Sequence, residues 1–208
     1  GEQLYTYWLY DYAGVNPQNG NALWRNEEGL LTENYGEARR INAGSPEPLW
    51  TGGFNTELSW KGISLGIQLE ARYGNKVLNQ DRSLFEADGS YGDSNIWKGA
   101  LNYWKKPGDT NVLPKPIYNN SSNSSQISTR YLEDGSYLRI KDITLAYNLP
   151  SKWTKKALMS GVRIYASALN LYTFHNMNYW DPEHGTTGAT IISYPMTRSM
   201  IVGVDITF

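Results

Sequence analysis

The sequence predicts an all-β fold: a wall of about six antiparallel strands from a transmembrane β-barrel, with long loops at one end and short turns at the other. Three observations predict it. Apolar and polar residues alternate over segments of roughly ten residues, and the connections between those segments are alternately short and long. The chain also carries 8 Trp and 16 Tyr against 4 Phe. Rings with one polar end suit places that are apolar on one side and wet on the other.

The strands follow in order. Leu4-Tyr5-Thr6-Tyr7-Trp8-Leu9-Tyr10 is rich in β-formers and predicts the first. Residues 14–50 hold Asn, Gly, Pro and charges and read as a long loop. Phe54, Leu58 and Trp60 set one apolar phase; Ile63, Leu65, Ile67 and Leu69 set the other. A phase flip at Lys61-Gly62 is what a tight hairpin turn produces. Residues 74–135 form the longest irregular stretch and include the polar tract at 119–125. Such a tract cannot bury enough apolar area to offset its ordering entropy. Loops this long are uncommon in an ordinary soluble sandwich.

The fourth strand spans residues 136–149, with a slip at Lys141-Asp142 that predicts a β-bulge. Pro150 ends it, and residues 151–160 predict a short helix stopped by Gly161. A strand at 162–172 and a loop at 173–197 follow. In the last strand Met200, Val202, Val204, Ile206 and Phe208 alternate with Ser199, Ile201, Gly203, Asp205 and Thr207. Ten residues at about 3.3 Å each, tilted by roughly 45°, span a hydrocarbon layer of about 25 Å. Short turns after strands two and four read as periplasmic, and the long connections as extracellular. The last strand then returns to the periplasm. The residues alone leave open a soluble, glycan-binding β-domain with one wet face.

Composition excludes several classes. Without Cys there is no disulfide framework, Cys-ligated zinc or Cys nucleophile. A net charge of −1 argues against a nucleic-acid partner. No apolar run is long enough for a transmembrane helix.

The C-terminal third carries specific motifs. GSYLRIKDITLAYNLP at 135–150, VRIYASALNLYTF at 162–174, YWDPE at 179–183 and YPMTRSMIVGVDITF at 194–208 resemble the end of SusC/RagA-type TonB-linked outer-membrane proteins. That family closes on S-Y-L-R-L-K-N, R-[VI]-Y-x-S-x-x-N-L, G-Y-D-P-E and Y-P-x-x-R blocks. Here Asp142 replaces Asn, Ala168 the usual Gln, and Trp180 precedes the DPE. AGVNPQNGNALW at 13–24 and residues 44–79 are also similar to the family.

The resemblance implies that residues 1–208 are the C-terminal barrel segment of a bacterial outer-membrane receptor, with neither plug domain nor TonB box. It implies import of oligosaccharide or peptide cargo, a SusD-like lipoprotein as lid, TonB engaged through an N-terminal part, and lipid around the barrel. Phe208 matches the terminal aromatic of the barrel assembly signal, which would make it the true C-terminus and Gly1 a mid-barrel residue. No cofactor and no catalytic role is implied.

Candidate ligand or lid contacts lie in the loops. Trp180, Asp181 and Glu183, with Tyr179, offer rings to stack and carboxylates for hydroxyls; an Asp-Pro turn motif is the plainer reading. Trp97, Tyr103 and Trp104 lie near Asn95 and Asn102 and suit carbohydrate or peptide, or else form a small loop core. Asp81, Glu86, Asp88, Asp93 and Asp109 lack calcium-loop spacing and read as a solvated loop. His175 and His184 lack a third ligand, so no metal site is expected. Lys152, Lys155 and Lys156 read as a solvated face near lipid headgroups.

Overall fold

The computed structural model describes residues 1, 3–90, 95–120, 122–183, 188–190, 194 and 196–208. The chain forms two compact units. One, built from residues 48–75, 135–182 and 194–208, is the strand unit; the other, from residues 1–47, 76–134 and 183–193, is the loop unit.

The strand unit is a five-stranded antiparallel meander in sequence order. Its strands are β1 (Trp50–Trp60), β2 (Ile63–Tyr73), β3 (Tyr137–Asn148), β4 (Gly161–His175) and β5 (Ser199–Thr207). The alternation in the sequence becomes rows across the sheet. Trp60, Ile63, Tyr147, Ile164 and Val204 are cross-strand partners, as are Leu58, Leu65, Leu145, Ala166 and Val202. On the opposite face Glu57, Gly66, Thr144 and Ser167 align. A one-residue slip would exchange the two faces, so the apolar pattern holds the register.

The apolar face is bare: Trp60 is 69% exposed, Val202 79% and Met200 80%. A soluble monomer rarely exposes a continuous apolar patch beyond a few hundred Å². A barrel wall shows such a band to lipid, while its ladder satisfies the backbone polar groups internally. Trp50 pairs with Tyr73 at one end of β1–β2. At the other end stand Trp60, Tyr147 and the exposed Trp153. These are the two aromatic belts of a membrane-spanning sheet.

The turns follow the sequence. Lys61 (φ 48°) and Gly62 (φ 88°) both take positive φ, as a two-residue type I′ hairpin turn requires. A Cβ on Gly62 would come within 2.9 Å of the Asn148 carbonyl oxygen. The bulge falls between Ile140 and Asp142. It brings two successive charges into polar company: Lys141 meets Glu70 at 3.1 Å, and Asp142 accepts from the Thr144 and Ser167 hydroxyls at 2.8 Å each. After Pro150, a single helical turn (Ser151–Thr154) and a 3-10 turn (Lys155–Ala157) lead to Leu158 in the left-handed region.

Two expectations are corrected. The first anticipated strand does not join the main sheet: Trp8–Tyr10 pairs with Arg40–Asn42. The main sheet therefore has edges at β1 and β5. Strand propensity marks Leu4–Tyr10 as extended but says nothing of its partner. Tyr7 and Leu9 pack with Leu78 and Tyr131 into the small core of the loop unit. The polar tract is also ordered where described. Ser122, Ser124 and Ser128 are buried, and the fully buried Trp24 donates its indole N–H to the Ser122 carbonyl at 3.1 Å. The tract borrows its apolar cover from Trp24 rather than supplying it. Two backbone turns order it: the Asn123 amide donates to the Asn120 carbonyl at 3.1 Å and the Gln126 amide to the Asn123 carbonyl at 3.0 Å.

The stretches anticipated as loops also hold short strands. Tyr12–Val15, Ala22–Arg25 and Leu31–Thr32 form one sheet. Lys76–Asn79 pairs antiparallel with Leu132–Asp134 and parallel with Ala189–Thr190.

Candidate functional site

In the strand unit, the candidate residues gather where β3 and β4 meet the long connections. Arg139 follows Leu138 in the SYLRIK run, and alternation places it on the polar face. It is fully buried. Its Nε donates to Thr173 Oγ1 at 2.9 Å, its Nη2 pairs with Asp181, and its guanidinium lies 5.3 Å from the Tyr137 ring centre. The Tyr137 hydroxyl donates to Glu70 at 2.7 Å, and Glu70 also takes Lys141. Beside this network a cavity of about 320 Å³ is lined by Asn170, Thr173, His175, Tyr179, Trp180, Asp181, Met196 and Arg198. The sheet thus brings three of the anticipated contacts, Tyr179, Trp180 and Asp181, to one cavity. Tyr179 is exposed, with φ at 70°. Asp181 does more than shape a turn: it neutralises a buried arginine. Sequence spacing could not show this, because Arg139 and Asp181 are 42 residues apart.

The loop unit holds a second polar cluster. Asn79 caps the helix Gln80–Glu86 by accepting from the Arg82 amide at 3.3 Å. Arg82 meets Glu86 at 2.7 Å and Glu133 at 2.8 Å; Arg130 meets Glu86 at 3.2 Å and also pairs with Asp88. Asp81, Glu86 and Asp88 are therefore buried, and the solvated-loop expectation for them is corrected. Arg130, 44 residues from Glu86 and 42 from Asp88, offsets the desolvation of those two carboxylates. The one local signal was Arg82 and Glu86 at i, i+4. Burial opposes the Arg82 charge, but Glu86 and then Glu133 outweigh it and raise its pKa. Burial pushes the Tyr12 hydroxyl up to about 12 against a partial opposing effect of Arg130. Tyr131 is raised in the same way. This cluster can brace the loops that it joins. Elsewhere in the unit, Glu33 accepts amides from Asn16, Asn19 and Asn21 at 2.5, 2.8 and 2.7 Å. Asn21 first, then Asn19, hold its carboxyl below the usual range.

The remaining candidates are placed as follows. Trp104 is a core residue rather than an exposed one: it is 8% exposed and donates to the Pro17 carbonyl at 3.0 Å. Gly20 leaves room for its ring, since a Cβ there would lie 2.7 Å from it. Trp97 is half-buried and stacked on Phe85 at 5.0 Å. Tyr103 and Trp104 share a cavity of about 370 Å³ with Lys105, Lys115 and Pro116. Glu183 is half-buried, and Phe208 is exposed beyond the end of β5. Asp93 and His184 lie outside the described residues. Among the described residues, no group of three or more His, Asp or Glu is placed to hold a metal ion.

Comparisons with known proteins agree with this architecture. No protein-family model matches the chain. The TonB-dependent receptor P3 of Formosa agariphila is 29% identical over 100% of this chain and 22% of its own length. Receptor P26 of the same organism is 28% identical over 91% of this chain and 20% of its own. The structure of the RagAB peptide transporter superposes with a TM-score of 0.83 at 30% identity, covering 98% of this chain and 23% of that one. The RagAB peptide importer in its open-open state gives a TM-score of 0.83 over 22% of its chain. The chain thus spans about a fifth of the length of the curated relatives it matches.

A meander with one bare apolar face, one polar face and two aromatic belts is a segment of transmembrane β-barrel wall. Within that class, the chain is similar over its whole length to part of SusC/RagA-like TonB-dependent receptors.

Proposed function

We propose that this chain supplies part of the wall and the surface loops of an outer-membrane importer for oligopeptides. The observation that carries the reading is the two-faced sheet, bare and apolar on one side and lined with paired charges on the other. The long connections face the outside and the short turns the periplasm. A SusD-like lipoprotein caps the long loops. TonB drives import through a plug and contact segment that residues 1–208 do not contain. Likeness to a peptide transporter at 30% identity supports peptide over glycan cargo. The cavity of Tyr179, Trp180 and Asp181 is the cargo or lid contact.

The test is uptake by cells carrying the intact receptor. Labelled oligopeptides should enter in a manner abolished by a proton-motive-force uncoupler. Tyr179→Ala with Trp180→Ala should reduce uptake several-fold while leaving the receptor in the membrane fraction. Uptake of oligosaccharides but not peptides would overturn the cargo assignment. Recovery of the intact protein in the soluble fraction without detergent would overturn the importer reading and revive the soluble glycan-binding domain.

A further inference from the structure

The short-turn end of the strand unit carries a cationic, aromatic surface that the importer reading does not use. Its parts come from two connections. In the β1–β2 turn, Lys61 extends over the Trp60 ring, its Nζ 4.6 Å from the ring centre. In the β3–β4 connection, Lys152, Lys155 and Lys156 are exposed around a half-exposed Trp153. The two connections are neighbours, because the Asn148 amide donates to the Gly62 carbonyl at 2.8 Å. Leu158 follows at φ 60° and is 88% exposed. A branched apolar side chain held in the left-handed region and given to solvent is costly twice over. The chain from Ile143 to Trp180 contains no carboxylate residue. The strand acids nearest this end, Glu57 and Asp205, lie on the polar face, Asp205 with Arg163 at 3.4 Å.

We infer that this surface binds the headgroup of an anionic phospholipid in the leaflet that the short turns face. Trp60 and Trp153 lie at the headgroup level, Leu158 enters the acyl boundary, and the four lysines meet the phosphate and its extra negative charge. Lysine stems that run along a ring while the ammonium stays wet are the usual form of such contacts. Each lysine near a charged membrane surface is worth about a fivefold preference. The inference rests on the membrane-spanning reading of the sheet.

The experiment uses the full receptor in vesicles, with spin-labelled phosphatidylglycerol or phosphatidylcholine as the probe. The wild type should hold phosphatidylglycerol in preference to phosphatidylcholine by more than the roughly fivefold that one lysine supplies. The preference should fall as salt is raised, because exposed charges are screened. Lys61→Gln with Lys152→Gln, Lys155→Gln and Lys156→Gln should bring it within about twofold of phosphatidylcholine. Lys105→Gln with Lys106→Gln, on the loop unit, should leave it unchanged. A salt-independent wild-type preference, or an undiminished one in the quadruple variant, overturns the proposal; the salt series decides even if that variant misfolds. A receptor that restricts no lipid of either kind overturns the membrane reading itself.

Discussion

Asp181→Asn removes a carboxylate partner of the fully buried Arg139 guanidinium. Removing one partner of a buried ion pair costs about 3–5 kcal/mol. Two features place this case at the lower end. The Asp181 side chain is 15% exposed, so water reaches the vacated site. Thr173 still accepts one hydrogen bond from Arg139. The expected loss is about 3 kcal/mol, or a urea midpoint lower by roughly 1 M at a slope of 3 kcal/mol/M. The assay is equilibrium urea unfolding of the receptor refolded in detergent micelles, followed by tryptophan fluorescence. Removing both charges separates the pair from packing. Arg139→Met with Asp181→Leu should lie within about 1 kcal/mol of wild type, because apolar replacement of a buried pair is often neutral. The coupling energy across the cycle of Arg139→Met, Asp181→Leu and the double variant should then be about 2 kcal/mol or more. An Asp181→Asn variant within about 0.5 kcal/mol of wild type, or additive single and double losses, would refute the role assigned to this pair.

Three further outcomes are expected. Ile67→Arg, in the middle of β2 on the apolar face, should cost about 2–4 kcal/mol of refolding free energy in vesicles. Gln68→Arg, one residue on and on the polar face, should cost under about 1 kcal/mol, and equal losses would contradict the face assignment. Gly62→Val combines a positive φ with a 2.9 Å approach to the Asn148 carbonyl and should cost about 2 kcal/mol, measured by the same unfolding curves. Tyr12 titrates near 10 when unfolded and at about 12 when folded. Its contribution is therefore whole below pH 10 and lost as pH rises to 12, worth about 2–3 kcal/mol. Tyrosinate absorbance during alkaline unfolding should show this loss, and Tyr12→Phe should remove its share of the pH dependence.

What the sequence determined by itself was local and periodic. Side chains alternate along a strand, so Met200 to Phe208 or Ile63 to Leu69 disclose two faces without any knowledge of partners. Lys61-Gly62 discloses its turn because positive φ at both positions leaves few residue choices. The slip at Lys141-Asp142 discloses a bulge for the same periodic reason. Pairing across long separations was decided only by the tertiary structure. Trp8–Tyr10 has the composition of a wall strand, yet it closes on Arg40–Asn42, because Tyr7 and Leu9 are buried more fully with Leu78 and Tyr131. Glu86 and Asp88 look like solvated charges until Arg130 arrives from elsewhere in the chain. Trp104 reads equally as a binding ring or a loop-core ring until Gly20 opens a place for it. Asp181 looks like a turn residue until the sheet sets Arg139 beside it. Desolvation and its compensation depend on what surrounds a group in space, and the residues that surround these are 40 or more positions away along the chain.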